Sequence, residues 1–237
     1  MNVLVVTPTY NEKDNLPLLV EGVLKHDGFR LLVVDDGSPD GTGAVADRLA
    51  LEHPGRIEVM HRTGPRGLGR SYIDGLLHAL AQGTADFVCQ MDADLSHDPA
   101  QLPRLIAATA HADIVIGSRY VPGGRIMNWP VRRKLLSRFA NMYVRTVTRL
   151  SARDCTSGYR CWRREALAQL PIRAMVSDGY SFLVEMLFEA KRRNFRIGEV
   201  PIIFVERRLG QSKLSKGVLM ESLIMPWRLR WRGRSRP

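Results

Sequence analysis

The sequence predicts an α/β fold, Rossmann-like, with a mostly parallel sheet and helices on both faces. Three observations predict it. Short continuous apolar runs rich in β-formers recur at 2–7, 31–34, 87–91 and 113–117, the pattern of strands buried on both sides. Stretches of helical periodicity separate them across short loops, which favours parallel crossovers. Two of the runs end in paired acids, Asp35-Asp36 and Asp92-Ala93-Asp94, at the strand ends where an open α/β sheet carries its ligands.

In order, a strand from Asn2 to Thr7 leads through Pro8-Thr9-Tyr10-Asn11-Glu12 into a helix with Leu16, Leu19, Val20, Val23 and Leu24 apolar, Asn11 being its expected N-cap. After the strand at 31–34 and its acids, a helix is predicted over 42–52 and a strand over 57–60. A glycine loop, Gly64-Pro65-Arg66-Gly67-Leu68-Gly69, then opens a helix through Leu80. The order GxxGxG, outside the first strand-turn-helix, does not make a dinucleotide fingerprint.

Beyond the second acidic loop, Asp98-Pro99 opens a helix to about Ala110, and a strand over 113–117 empties into Ser118-Arg119-Tyr120. A long loop over 121–129, hinged at Gly123-Gly124, precedes a helix from Pro130 to Leu150 with Leu135, Leu136, Phe139, Tyr143, Val144 and Val147 apolar and arginines on the remaining face. Those arginines read either as a solvated face or as an anion site, and Arg132 and Arg133 sit in a first turn where an anion would relieve the macrodipole. A turn-rich stretch, 154–160, is followed by helices near 165–170 and over 179–192, and by a last strand over 200–205 in which Pro201 implies either an edge strand or a place at the strand's start. Residues 206–216 read as a basic flap. The tail places tryptophans and leucines among arginines, which suits either the headgroup layer of an anionic membrane or a helix docked on the core.

A chain of 237 residues, 45% hydrophobic, can bury one sizeable core. Its net charge of +11 implies an anionic partner. Acids at two strand ends, with no helix-turn-helix, zinc-finger or RNP pattern, argue against nucleic acid. Cys89, Cys155 and Cys161 lack zinc-ligand spacing and indicate a reducing compartment. The chain enters its first strand without a leader and contains no run of eighteen apolar residues, so a cytosolic protein, free or on a membrane face, is expected.

The acids carry the chemistry. On a loop beyond a strand end, Asp92 and Asp94 can converge on one hard cation, Mg²⁺ or Mn²⁺, whose remaining positions go to water and phosphate oxygens, as a nucleotide diphosphate requires. His97 is better suited to a local turn or helix start than to general-base work.

Pro8-Thr9-Tyr10-Asn11-Glu12, Val34-Asp35-Asp36-Gly37-Ser38-Pro39-Asp40-Gly41-Thr42, Met91-Asp92-Ala93-Asp94-Leu95-Ser96-His97, Gly117-Ser118-Arg119-Tyr120 and Ser157-Gly158-Tyr159-Arg160 together resemble the dolichol-phosphate mannosyltransferases, the polyprenol monophosphomannose synthases of glycosyltransferase family 2. The resemblance runs in order from Pro8 to Lys213. It implies a GT-A fold over 1–216 with a basic interfacial helix over 217–237, and inverting transfer of mannose from GDP-mannose to a polyprenyl monophosphate at the cytosolic face of a membrane. It implies that Pro8, Tyr10, Glu12, Val34 and Asp36 form the nucleotide pocket, Asp36 facing the guanine. Asp92 and Asp94 would form the metal and diphosphate site, with Ala93 giving backbone. Arg119, Arg207 and Lys213 are implied as nucleotide-sugar cations, Asp94 and Arg119 being the catalytic pair, and Arg133 and Ser137 as the acceptor-phosphate site. Some relatives append membrane-spanning helices that this chain lacks, so attachment is expected from the basic tail or from a membrane-anchoring subunit. The neighbouring expectation is a polyprenyl-phosphate glucosyltransferase using UDP-glucose, which shares fold and most motifs.

Overall fold

The structure is a computed structural model that describes residues 1–177, 179–206 and 216–232. Strands β1 (Val3–Thr9), β2 (Phe29–Asp35), β3 (Ile57–His61), β4 (Phe87–Gln90) and β5 (Ile114–Ser118) arise where the apolar runs predict them. With β7 (Arg160–Arg163) and β8 (Ile197–Pro201) they form a seven-stranded sheet of order β3-β2-β1-β4-β7-β5-β8. All neighbours are parallel except β7, which runs antiparallel between β4 and β5.

Strand alternation divides the core into two layers. Val3 and Val5 meet α1 (Leu16–Leu24), α2 (Thr42–Glu52) and α4 (Leu102–Ala108) on one face. Leu4 and Val6 meet α3 (Leu68–Gln82), α5 (Val131–Thr148), α6 (Arg164–Ala168), α7 (Gly179–Arg192) and α8 (Lys216–Arg232) on the other. Gly75 lets α3 lie close on the sheet, since a Cβ there would meet Val6 at 2.6 Å and Val34 at 2.9 Å. Because β2 and β3 extend from one side of β1 and β4 from the other, the carboxyl ends of β1 and β4 border the topological switch point, where such sheets open a crevice.

Four expectations need correction. Helix α1 begins at Leu16 with Asn15 at its N-cap, because Asn11 is left-handed at φ 59° and the Glu12 carbonyl already turns the chain by accepting from the Asn15 and Leu16 amides. The turn-rich stretch near 160 contains β7, hidden because two of its four residues are arginines and Arg160 is fully buried. Its guanidinium donates to the carbonyls of Ser157, Leu183 and Cys155, which satisfies a charge that composition assigns to the surface. The loop over 121–129 is partly regular: β6 (Arg125–Met127) pairs in parallel with β9 (Ile203–Val205), and the expected last strand is thereby divided between β8 and β9. Pro201 does end an edge strand.

The apolar positions of α5 also part company. Val144 and Val147 are buried, whereas Leu135 and Leu136 (61% exposed each) and Phe139 (58%) face outward. Helix α8 docks against α5 and α7 through Met225 and Leu229, with the Tyr143 hydroxyl donating to the Leu223 carbonyl and Arg230 to that of Val147. Leu223, Ile224, Trp227 and Trp231 stay exposed. The docked reading of the tail is the one the structure shows, and the same helix leaves an apolar, arginine-flanked outer face. The expected flap over 206–216 lies outside the described residues beyond Glu206, save Lys216 at the start of α8.

Candidate active site

Past the end of β4 the chain turns through Asp92, Ala93, Asp94 and Leu95, the last in the left-handed region at φ 59°, a costly conformation for a leucine. Asp94 secures this turn, its Oδ1 accepting from the Ser96 hydroxyl at 2.5 Å and the Ser96 amide at 3.1 Å. Asp92 is oriented from across the site: the hydroxyl of Tyr72, on α3, donates to its Oδ1 at 3.0 Å. Behind it lies Gly158, where a Cβ would stand 3.0 Å from Asp92 Oδ1 and 3.2 Å from Oδ2, so the Ser-Gly-Tyr-Arg motif has glycine where the carboxylate needs room. Ala93 between them is buried and leaves only backbone to offer.

Hydroxyls orient a carboxylate without cancelling its charge, and each aspartate accepts one at its Oδ1. Among the described residues no group of three or more His, Cys, Asp or Glu could hold a metal ion. Two oriented carboxylates without further protein ligands fit Mg²⁺ or Mn²⁺ shared with a diphosphate, and do not fit a closed structural metal cage.

Of its two expected local roles His97 takes the first, its ring closing the acidic turn rather than starting a helix; Asp98 caps the next turn, accepting from the Ala100 amide at 2.9 Å. The imidazole is buried and stacked on Tyr159 with centroids 4.9 Å apart, and its Nδ1 accepts from the Asp92 amide. Burial lowers its pKa against the pull of Asp92 and Asp94, which keeps the ring neutral and makes it a wall behind the acidic loop.

The predicted nucleotide residues gather at the ends of β1 and β2, where Pro8 and Val34 are register partners. Arg66, from the glycine loop, lies over the Tyr10 ring at 4.8 Å and donates to its hydroxyl, a cation the sequence reading missed. The Glu12 carboxylate accepts from the Asn15 side-chain Nδ2 at 2.7 Å. Two placements differ from expectation. Val34 is fully buried beneath α3 and supports the strand end from below. Asp36 is buried as well, its Oδ1 accepting from Arg62 and its Oδ2 from the Gly67 amide at 2.8 Å, so it first acts as a strut for the glycine loop.

Of the predicted cations, Arg119 turns inward. Its Nε and Nη2 make a two-pronged bond to Asp154 at 2.7 Å each, and Nη2 also reaches the Thr156 hydroxyl. Burial works against the charge, but Asp154 outweighs it and holds the pKa above the usual range. Rings of Tyr120, Trp129 and Phe204 surround the guanidinium at 5.3–5.9 Å. Arg119 is therefore placed as a positioning group rather than an open substrate cation. Arg133 lies over the Trp129 ring at 4.0 Å and pairs with Glu206 at 2.5 Å, while Ser137, one turn along α5, accepts from the Tyr120 hydroxyl at 2.7 Å. Arg207 and Lys213 lie outside the described residues.

Aromatic contacts join the two halves. Trp129 packs edge-on against Phe204 at 5.5 Å, Phe204 edge-on against His97 at 5.5 Å, and the Val205 amide donates to the Ser96 carbonyl. The cationic start of α5 and the acidic loop after β4 are thus parts of one packed unit.

Comparison with known proteins agrees with this architecture. Over 234 residues the chain is 48% identical to a polyprenol monophosphomannose synthase of Mycolicibacterium smegmatis, covering 97% of this chain and 88% of that protein. Over 241 residues it is 47% identical to an undecaprenyl-phosphate mannosyltransferase of Micrococcus luteus, covering 98% and 97%. A glucosyl-3-phosphoglycerate synthase of Mycobacterium tuberculosis, solved with Mn²⁺, UDP and phosphoglyceric acid, superposes with a TM-score of 0.71 at 18% identity, covering all of this chain and 79% of that one. A mannosyltransferase of Pyrobaculum calidifontis, solved with GDP-Man and Mn²⁺, gives 0.58 at 18%, covering 98% and 73%. These two share the fold, the GT-A arrangement the resemblance implies. The model of glycosyl transferase family 2 matches residues 4–170, and the chain belongs to that family.

Proposed function

We propose that this enzyme transfers mannose from GDP-mannose to the phosphate of a polyprenyl monophosphate, with inversion, at the cytosolic face of a membrane. The observation that carries the reading is the packing of a cationic helix start, Arg133 and Ser137, against an oriented acidic pair, Asp92 and Asp94, through Trp129, Phe204 and His97. The names of the two relatives support mannose and a polyprenyl phosphate.

A phosphate monoester is largely dianionic near neutral pH, so as a nucleophile it needs positioning and charge compensation rather than a base. The residues suit that need: the one histidine beside the acids is buried and neutral, whereas arginines are plentiful. Arg133 and Ser137 bind the acceptor phosphate. Arg119 holds Asp154 and the aromatic floor in place, and Asp94 and Arg119 are the residues on which turnover depends most. Pro8, Tyr10, Glu12, Val34 from beneath, and Asp36 through the glycine loop shape the nucleotide pocket, joined by Arg66, with Arg207 and Lys213 as further donor cations. Mg²⁺ or Mn²⁺, held by Asp92 and Asp94 when bound, would neutralise charge on the departing diphosphate.

Residues 1–216 form the catalytic domain and 217–237 its membrane-contacting appendage. No helix among the described residues is long and apolar enough to cross a membrane. The exposed Leu135, Leu136 and Phe139 of α5 and Trp227 and Trp231 of α8, set among arginines, suit the headgroup layer of anionic lipid, with or without a membrane-anchoring subunit.

The test is direct. Purified protein, Mn²⁺ and polyprenyl phosphate are incubated with radiolabelled GDP-mannose or UDP-glucose, and lipid-soluble label is measured. Label from GDP-mannose alone is expected; label from UDP-glucose alone would establish the glucosyl reading instead.

A further inference from the structure

Arg133, the cation assigned above to the acceptor phosphate, already holds an anion. Its Nη1 pairs with Glu206 Oε1 at 2.5 Å, and both side chains remain about one-third exposed, at 33% and 34%. The indole of Trp129 shelves the guanidinium at 4.0 Å, and the Trp129 Nε1–H is buried without a hydrogen-bond partner. Glu206 follows Val205, whose amide bonds to Ser96 in the acidic loop, so the carboxylate is delivered from a strand tied to the donor side.

We propose that Glu206 is a specificity-determining residue: a resident monoanion on the acceptor cation that a phosphomonoester displaces and a phosphodiester does not. This rests on the reading of Arg133 as an acceptor-phosphate residue. A membrane surface is crowded with phosphodiester headgroups of one negative charge, whereas the acceptor is a scarce lipid carrying close to two. An unguarded arginine at that surface would be filled by the common anion. A carboxylate matches a phosphodiester in charge and is tethered, so its effective concentration at Arg133 is high and the diester gains nothing by replacing it. A dianion gains roughly twice the attraction and can accept two guanidinium bonds at once. The selection is a difference between two anions, achieved by placing a competitor in the site.

The experiment compares the full chain with its Glu206→Gln, Arg133→Gln and double variants. Thermal stabilisation by inorganic phosphate and by dimethyl phosphate is measured at pH 7.5, together with acceptor KM in neutral detergent micelles carrying increasing phosphatidylglycerol. The wild type is expected to be stabilised by phosphate and not by dimethyl phosphate, and its KM to change little with phosphatidylglycerol. Glu206→Gln is expected to gain stabilisation by dimethyl phosphate and to lower acceptor KM in neutral micelles by about fivefold, the worth of an ion pair about one-third exposed. Phosphatidylglycerol should then reverse that gain. Arg133→Gln should abolish both anion responses, and Glu206→Gln should add nothing to it. A Glu206→Gln variant with unchanged anion selectivity, or with a raised acceptor KM, overturns the proposal. If no variant turns over any polyprenyl phosphate, the functional reading fails while the two soluble anions still decide the role of Glu206.

Discussion

The hydroxyl of Tyr72 donates to Asp92 Oδ1 at 3.0 Å from a ring fully buried in the core and stacked on Phe182 of α7. Burial, and then Asp92 itself, push the phenol's pKa well up, so it remains a donor throughout the working pH range. Tyr72→Phe keeps the ring and removes only the donor. Turnover is expected to fall about tenfold with a raised apparent KM for Mn²⁺, as when an outer partner of a metal ligand is lost. The melting temperature should move by only a few degrees, since one hydrogen bond is worth about 1 kcal/mol. Metal titration of the activity beside thermal unfolding checks this.

Asp94→Asn preserves the bonds from Ser96, because the amide oxygen can accept as Oδ1 does now. The fold should be intact, while loss of a charged ligand lowers turnover by at least about a hundredfold. Near-normal turnover with unchanged metal dependence would refute the assignment.

The Arg119–Asp154 pair is closed to solvent, with side chains 8% and 0% exposed. Arg119→Met strands a buried carboxylate and is expected to destabilise the protein by about 3–5 kcal/mol, whereas Arg119→Met with Asp154→Leu should recover much of that loss. Urea denaturation of the three proteins measures both steps, and turnover should fail in both variants because the floor beneath the site depends on Arg119.

Sedimentation with vesicles tests the outer faces of α5 and α8. Binding should require anionic lipid and weaken as salt screens the arginines. Trp227→Ser with Trp231→Ser should reduce it several-fold without changing thermal stability, both side chains being exposed. Equal binding to neutral vesicles would show that the arginines play no part, and failure to bind any vesicle would argue for attachment by a partner instead.

All three cysteines are free and buried, and burial pushes the Cys155 thiol up to about 12 and that of Cys161 well above its usual value. The native protein should show no rapidly reacting thiol with a disulfide reagent at pH 8, and three after denaturation in guanidinium.

Strands β1, β2, β4 and β5 were legible because each contains a continuous apolar run, and the acidic loop because it ends one, whereas β8, with Gly198 and Glu199 in its middle, was not. Strand β7 was not, since Arg160 looks exposed until three carbonyls are folded around it. Tyr72 reads as an ordinary core residue of an amphipathic helix; only the sheet's twist brings its hydroxyl to Asp92. Trp129 stood inside what reads as an open loop, and β6 appears only when β9 arrives from far along the chain to pair with it.

By itself the sequence determined the layering of helices on a parallel sheet, the position of the crevice and the identity of the acids that border it, because periodicity and strand-end chemistry are local. Tertiary structure alone decided what each charge does. Arg119 is joined to an acid 35 residues away and Arg133 to one 73 away. Coulomb energy depends on separation in space and on the surrounding dielectric, and the order of residues along a chain specifies neither.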